Sequence, residues 1–96
     1  MDTELNELAQ KHSNDMGLRN YVGHRNMQGE NSGDRAKKMG IYSPVGENIA
    51  LNEDVEYAQY RLDRSPIHLK NTIDPTWTRV GLGIYKKYNG MYYITQ

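Results

Sequence analysis

The chain has 96 residues, no cysteine, and equal numbers of acidic and basic residues, which give a formal net charge of zero at pH 7. This length predicts one domain with a modest core, and the absence of cysteine excludes disulfides and thiol chemistry. A neutral chain has no general attraction for nucleic acid or for an anionic membrane surface. Its apolar runs are all shorter than the roughly 20 residues that span a bilayer, so no transmembrane segment is predicted.

The first predicted element is an amphipathic helix over residues 3–16. Asp2 or Thr3 can serve as its N-cap, and its inner face follows from residues spaced three and four apart. These residues are Leu5, Leu8, Ala9, His12 and Met16. Gly17 is expected to end the helix. A histidine on such a stripe is more typical of a core or surface position than of a ligand.

A loop rich in Gly and Asn follows over residues 17–32 and carries His24. Ser32 is predicted to cap a short helix over about 33–39, and Gly40 to end it. The next segment is expected to be extended or irregular and to be buried, because three consecutive apolar residues follow Glu47 and Asn48. The predicted element covers residues 47–51.

Glu47 has two possible roles at this stage. Burial of a carboxylate beside an apolar run is costly unless the carboxylate is paired. A structural hydrogen bond to loop amides would pair it, and so would a functional contact with one or two imidazoles. Further along, Asn52 is predicted to cap a helix over about 53–63. Ser65 and Pro66 then start a short helix over about 66–72, which carries His68 and Asn71 three residues apart.

The C-terminal residues predict a β-hairpin. Apolar residues alternate over 80–85, and the Asn-Gly pair at 89–90 favours a two-residue type I′ turn. That turn would place Lys86 opposite Tyr93 and Ile84 opposite Thr95. The glycines at 81 and 83 remove side chains from one face, so another element is expected to pack closely against it. Helices followed by a hairpin indicate an α+β protein.

Several stretches, in order and covering nearly the whole chain, resemble the CAP superfamily. This superfamily comprises cysteine-rich secretory proteins, antigen 5 and pathogenesis-related 1 proteins, and the chain is most similar to its cysteine-free bacterial SCP-like branch. Gly-Glu-Asn-Ile-Ala at 46–50, followed by Ser-Pro-x-His-x-x-Asn at 65–71, is the most specific combination. The matching stretches are residues 5–16, 21–24, 46–50, 65–71, 80–83 and 92–96.

The resemblance implies an α-β-α sandwich with a central antiparallel sheet and a cleft lined by histidines and acids. His24 matches the family's first cleft histidine, Glu47 its first acid and His68 its second histidine, with Asn71 nearby. Many members carry a second acid before the second histidine. No residue here matches it with certainty, although Asp63 is close in sequence, and the cleft is therefore expected to be a three-residue version.

The resemblance also sets expectations for the rest of the protein. Family domains begin with a helix that would precede residue 1, so this single domain over 1–96 is expected to be trimmed or minimal. The uncovered apolar surface would suit a partner or a homo-oligomer. The expected location is extracytoplasmic, secreted or at the cell surface, with any signal peptide outside this chain.

Two functions follow from these expectations. The first is a non-enzymatic binding module for a small molecule, a lipid, a carbohydrate or a host macromolecule. It requires no cofactor, although His24 and His68 could hold a divalent metal such as zinc, with Glu47 nearby. The alternative is a peptidase-like hydrolase in which Glu47 is the general base. A purely structural role for the three residues is also open.

Overall fold

A computed structural model describes residues 2–42, 44–53, 57, 60–62, 79–87 and 90–96. It contains two helices, α1 (Thr3–Arg19) and α2 (Ser32–Lys38), and three strands, β1 (Ile49–Asn52), β2 (Gly83–Lys86) and β3 (Tyr92–Thr95) within these residues. Tyr57 and residues 60–62 are also helical, as predicted for 53–63. The prediction that Asn52 caps this helix and that it starts at Glu53 is wrong, because Asn52 ends β1 and Glu53 lies in a bend. The remaining positions of that helix and the helix predicted over 66–72 lie outside the described residues.

Helix α1 is longer than predicted. Asp2 is its N-cap and accepts a hydrogen bond from the Leu5 amide, and the left-handed residue Asn20 (φ 58°) ends it. The prediction that Gly17 ends the helix is wrong. Gly17 instead provides space for Tyr85, because a Cβ atom there would lie 2.1 Å from the Tyr85 ring. Gly17 is therefore required for packing against Tyr85 and does not end the helix.

Helix α2 begins one residue earlier than predicted. Asn31, and not Ser32, is its N-cap, and the Asn31 side chain and the Asp34 side chain each accept a hydrogen bond from the other residue's amide. This reciprocal arrangement satisfies two amides that a helix start otherwise leaves free. Gly40 lies beyond the last turn with a φ of 82°, as expected of a residue that ends a helix.

The strands form one antiparallel sheet in the order β1-β3-β2. The segment after Glu47 therefore does join the hairpin, with Ile49 opposite Thr95. The prediction that its three apolar residues are buried is wrong, because Ile49 and Ala50 are only half-buried and Leu51 is exposed. The predicted hairpin register is wrong by one residue, because Lys86 pairs with Tyr92. Lys87 donates to the Met91 carbonyl, and Gly90 has a φ of 87°. Three residues therefore lie between Lys87 and Met91, the length typical of a hairpin loop that ends in a left-handed glycine.

Helix α1 packs against the sheet at backbone distance. A Cβ atom on Gly81 would lie 2.1 Å from the Leu5 carbonyl carbon, and one on Gly83 would lie 2.3 Å from that of Ala9. The expectation that these glycines admit a close neighbour is confirmed. The approach also lets the Gln10 amide group both accept from and donate to the backbone of Ile84, on the open side of strand β2. The helix thus satisfies the backbone groups of Ile84 on the outer edge of β2, the edge that β3 does not pair.

The apolar core lies where α1, α2 and the segment after α2 meet. Its buried members are Leu8, Ala36 and Ile41, and the partly buried Leu5, Met39 and Val45 pack against them. Helix α1 also buries polar residues: His12 and Ser13 are among the most buried side chains. This core fixes α2 relative to α1, and the candidate site lies between them.

Candidate functional site

The backbone next to Glu47 is fixed by the end of the sheet. Asn48 and Gln96 exchange both of their backbone hydrogen bonds, at 2.9 and 2.8 Å, one step beyond the β1–β3 pairing. The Asn48 side chain also donates to the side chain of Gln96. Glu47 therefore leaves the sheet from a rigid position and not from a loose loop.

Arg35 on α2 binds the Glu47 carboxylate. Arg35 Nη1 lies 2.9 Å from Glu47 Oε2, and Arg35 Nη2 donates to Glu47 Oε1 at 3.1 Å. The two side chains are only 10% and 7% exposed. Nη2 forms the directional hydrogen bond, whereas the contact of Nη1 is a close charge contact without hydrogen-bond geometry. The burial cost of the carboxylate is thus offset by a buried cation, which answers how Glu47 can lie beside an apolar run.

His24 is bound to the same carboxylate from the other side. Its Nδ1 atom lies 2.9 Å from Glu47 Oε1, while 54% of its side chain is exposed. A carboxylate paired with arginine only accepts hydrogen bonds, so Nδ1 carries the proton. In the neutral ring, Nε2 then holds a lone pair, and it has no hydrogen-bond partner among the described residues. The arrangement is a carboxylate–histidine pair with one ring nitrogen free to bind.

His12, on α1, contacts the loop that joins α1 to α2 and is 1% exposed. Its Nε2 atom is 2.8 Å from the Gly23 carbonyl oxygen, to which it donates. Burial lowers the pKa of His12, and the nearby Arg35 charge lowers it further, although Glu47 acts in the opposite sense. The imidazole is therefore held neutral, with its proton on Nε2 and a buried lone pair on Nδ1.

A second polar contact ties the start of the loop to α1. The Tyr21 hydroxyl donates to the Asp15 carboxylate, and Arg19 lies 2.8 Å from the other Asp15 oxygen. Burial raises the pKa of Tyr21, and the hydrogen bond to Asp15 raises it further. The Tyr21 ring meets His12 edge to face, at 5.9 Å between centroids. Tyr21 is thus a structural contact between the loop and the helix.

Comparison with known proteins identifies the family. The sequence model of the cysteine-rich secretory protein family, CAP, matches residues 1–96. The chain belongs to this family. The protein called "Uncharacterized protein YkwD" from Bacillus subtilis (strain 168) is 33% identical over 85 residues, which are 86% of this chain and 33% of YkwD. This CAP chain therefore spans about a third of the length of that curated relative.

Solved structures give the same result. An extracellular protein containing a SCP domain from Bacillus anthracis str. Ames is 28% identical and has a TM-score of 0.75, over 98% of this chain and 31% of that one. An outer surface protein from Borrelia burgdorferi has a TM-score of 0.78, over 98% of this chain and 72% of that one. At 17% identity, the second likeness shows the fold alone. The expected α+β CAP fold is confirmed, and the lack of cysteine is consistent with the cysteine-free branch.

Two of the predicted site residues of this CAP chain are brought together: His24 and Glu47 are in direct contact. His68, Asn71 and Asp63 lie outside the described residues. Within the described part of the chain, no group of three or more potential metal ligands converges. Likewise, no helix there has the length and apolar character needed to cross a membrane.

Sequence reasoning missed Arg35, whereas the expectation that His12 occupies a core position is confirmed. Arg35 shares the last turn of α2 with Lys37 and Lys38, and nothing in a helix this short indicates which basic side chain turns inward. His12 did show a signal, because it fell on the inner stripe of α1. What the stripe could not show is that its ring reaches the carbonyl of Gly23, 11 residues away.

Proposed function

We propose that this CAP chain is an extracytoplasmic binding module that presents His24 Nε2 to its ligand and catalyses no reaction. The observation that carries the proposal is the sequence of contacts from Arg35 to Glu47 to His24. It fixes the proton on the inner nitrogen of His24 and leaves the outer nitrogen able to accept a hydrogen bond or bind a metal. The Bacillus anthracis neighbour, which is described as an extracellular protein, supports the location.

The ligand class follows from the character of the whole surface. The chain has no net charge and eight tyrosines, so neither strong anions nor strong cations are favoured as partners. Tyrosine offers a ring for apolar or sugar contact and a hydroxyl for hydrogen bonding. A neutral lipid, a carbohydrate or a host macromolecule with such groups suits this surface better than nucleic acid does.

A divalent metal would assist ligand binding in this proposal, and of the two described site residues one suits it as a ligand better than the other. His24 Nε2 is a suitable zinc ligand, and its hydrogen bond to a carboxylate is the usual support for a metal-bound histidine. Glu47 fits less well as a direct ligand because Arg35 contacts both of its oxygens. His24 with His68 would hold the zinc ion, and zinc would supply a Lewis-acid centre for an anionic or carbonyl group.

A calorimetric zinc titration tests the role of the metal. We expect the native chain to bind zinc and the His24→Ala/His68→Ala double variant to lose the binding heat. Arg25→Met is the matched control, since Arg25 is next to His24 in sequence but bonds only the Gly29 carbonyl, and it should titrate like the native chain. Equal heats for the native chain and the double variant would remove the metal from the proposal.

The alternative function is a hydrolase, and the His24–Glu47 contact is the observation in its favour. A carboxylate that orients an imidazole can support proton abstraction by the free ring nitrogen. In that case His24 would be the base, since Arg35 already engages the oxygens of Glu47. Peptide turnover that is lost in His24→Ala and reduced in Glu47→Gln would favour the hydrolase. Turnover that survives both changes would remove it.

A further inference from the structure

Two buried side chains, far apart in the sequence, hold the backbone that carries His24. We propose that His12 on α1 and Arg35 on α2 are positioning residues that together set the orientation and the tautomer of the His24 ring. Neither residue needs to touch the ligand. The inference deepens the proposed function, on which its consequence for binding rests.

The first observation is that these residues bind consecutive carbonyl groups. His12 Nε2 donates to the Gly23 oxygen at 2.8 Å, and Arg35 Nη2 donates to the His24 oxygen at 2.6 Å. The two donors come from different helices, so the peptide between them is held from two sides. Rotation of this backbone would break the bond to the buried His12 ring or the more exposed bond to Arg35, and loss of the first would leave a buried donor without a partner.

The second observation is that Arg35 acts twice on the same residue. Its Nη2 atom donates to the His24 carbonyl, and its guanidinium also fixes the Glu47 carboxylate, which in turn accepts a hydrogen bond from His24 Nδ1. The Arg35 guanidinium therefore holds the backbone of His24 directly and its ring through Glu47. Lysine has a single ammonium and cannot reproduce this fork.

The third observation is that the loop has little apolar anchorage of its own. Val22 is 49% exposed and Met27 is 62% exposed. Many of its remaining hydrogen bonds are internal, such as those that Asn26 makes with Glu30. The Tyr21–Asp15 contact and the ion pair of Lys38 with Glu30 tie the two flanks to the helices. At the centre, the donors from His12 and Arg35 supply the contacts with the helices.

The test measures which nitrogen of the His24 ring carries the proton in the ligand-free protein. Long-range 1H–15N NMR at pH 8 distinguishes the two neutral tautomers of His24, and we expect the Nδ1–H form to dominate in the native chain. Arg35→Met and Arg35→Lys should both lose this dominance, because free imidazole favours the Nε2–H form. Arg25→Met is the matched control. Arg25 also bonds a loop carbonyl, that of Gly29, but does not contact the site, so the control should resemble the native chain.

A second pair of variants tests His12. His12→Leu removes the donor to Gly23 and should shift His24 toward a mixture of tautomers. His12→Gln keeps a donor at nearly the same place and should restore the native pattern. If Arg35→Met or His12→Leu fails to fold, Arg35→Lys and His12→Gln still test the inference. A native tautomer pattern in folded Arg35→Lys, or a lost one in folded His12→Gln, would overturn the inference.

Zinc titration then links positioning to binding. We expect Arg35→Lys and His12→Leu to weaken zinc binding by about 10- to 100-fold, the usual effect of losing support behind a metal-bound histidine. Unchanged affinity in both variants would contradict the link. If the native chain binds no zinc, the metal part of the proposed function fails, while the tautomer measurements still judge the positioning roles of His12 and Arg35.

Discussion

The interface between α1 and the sheet and the site around His24 are built on opposite principles. At the interface, Gly81 and Gly83 remove side chains, and backbone meets backbone almost without intervening atoms. At the site, long polar side chains from two helices and a strand end reach into one place. The interface is determined mainly by close packing, to which Gln10 and Ser13 add a few hydrogen bonds. The site is determined by charge and by the direction of hydrogen bonds.

The difference indicates how each region should respond to change. A shape-determined contact tolerates no added atom but is indifferent to pH and salt. A buried polar arrangement accepts substitutions that keep donors and acceptors in place, and it responds to protonation. The following four changes separate these two behaviours, beginning with the largest expected effect.

Gly83→Ala should cause the greatest loss of stability. The new methyl group would lie 2.3 Å from the backbone of Ala9 and Gln10, which cannot move aside as a flexible side chain would. We expect the free energy of unfolding to fall by at least ~3 kcal/mol in urea denaturation. Gly33→Ala is the control. Its new Cβ would come no closer than 3.4 Å to the Asn31 side chain, and a gain of up to about 1 kcal/mol is expected. Equal stability of the two variants would refute the close packing.

Arg35→Met should follow, with a loss of about 3 kcal/mol. The substitution preserves much of the side-chain volume but removes the Arg35 charge from the largely buried Glu47 carboxylate, and breaking a buried ion pair is strongly destabilising. Arg25→Met at the exposed loop should change stability by less than about 0.5 kcal/mol. Chemical denaturation of both variants measures the difference. Should the two variants match, the Arg35–Glu47 pair would be an unimportant surface contact.

Ser13→Ala should have a smaller effect, because it removes hydrogen bonds and not volume. The buried Ser13 hydroxyl donates to the Gly83 carbonyl and lies 2.8 Å from the Thr95 hydroxyl. We expect a loss of about 1–2 kcal/mol. Ser32→Ala provides the comparison, since Asn31 caps α2, and should be nearly neutral. A larger loss from Ser32→Ala than from Ser13→Ala would contradict both assignments.

The pH dependence should give the smallest effect. Because burial lowers the pKa of His12 in the folded protein, the unfolded state binds more protons once the pH falls below about 6.5. Stability should then decline on acidification, by at most about 1.4 kcal/mol per pH unit for this one group. The charged and titratable groups facing the ring are Arg35, Glu47, Asp15 and Tyr21. The difference between the native chain and His12→Gln isolates the effect, and no difference near pH 6 would refute it.

Much of the fold was predictable because local signals agreed with the final structure. The apolar stripe predicted α1, and the strand alternation and glycines predicted a hairpin with a close neighbour. The errors came from contacts that no local pattern contains. Gly17 resembled a stop but accommodates Tyr85, and Asn89-Gly90 favoured a two-residue turn where the chain forms a longer one.

The site was less predictable. The family resemblance identified His24 and Glu47, and the structure brings them into contact. Arg35 was missed because its role depends on how α2 packs against α1, which a seven-residue helix does not encode locally. The role of His12 depends on a bond to a carbonyl, and a carbonyl is present at every residue. Sequence can therefore name the groups of a polar site more easily than the groups that support them.

The most direct test of the account is the protonation of the His24 ring in the native, ligand-free chain. Long-range 1H–15N NMR at pH 8 should show a protonated Nδ1, bonded to Glu47, and an unprotonated Nε2 that faces solvent. A ring with its proton on Nε2, or with the two tautomers mixed as in free imidazole, would contradict the claim that Arg35 and Glu47 prepare His24 to bind.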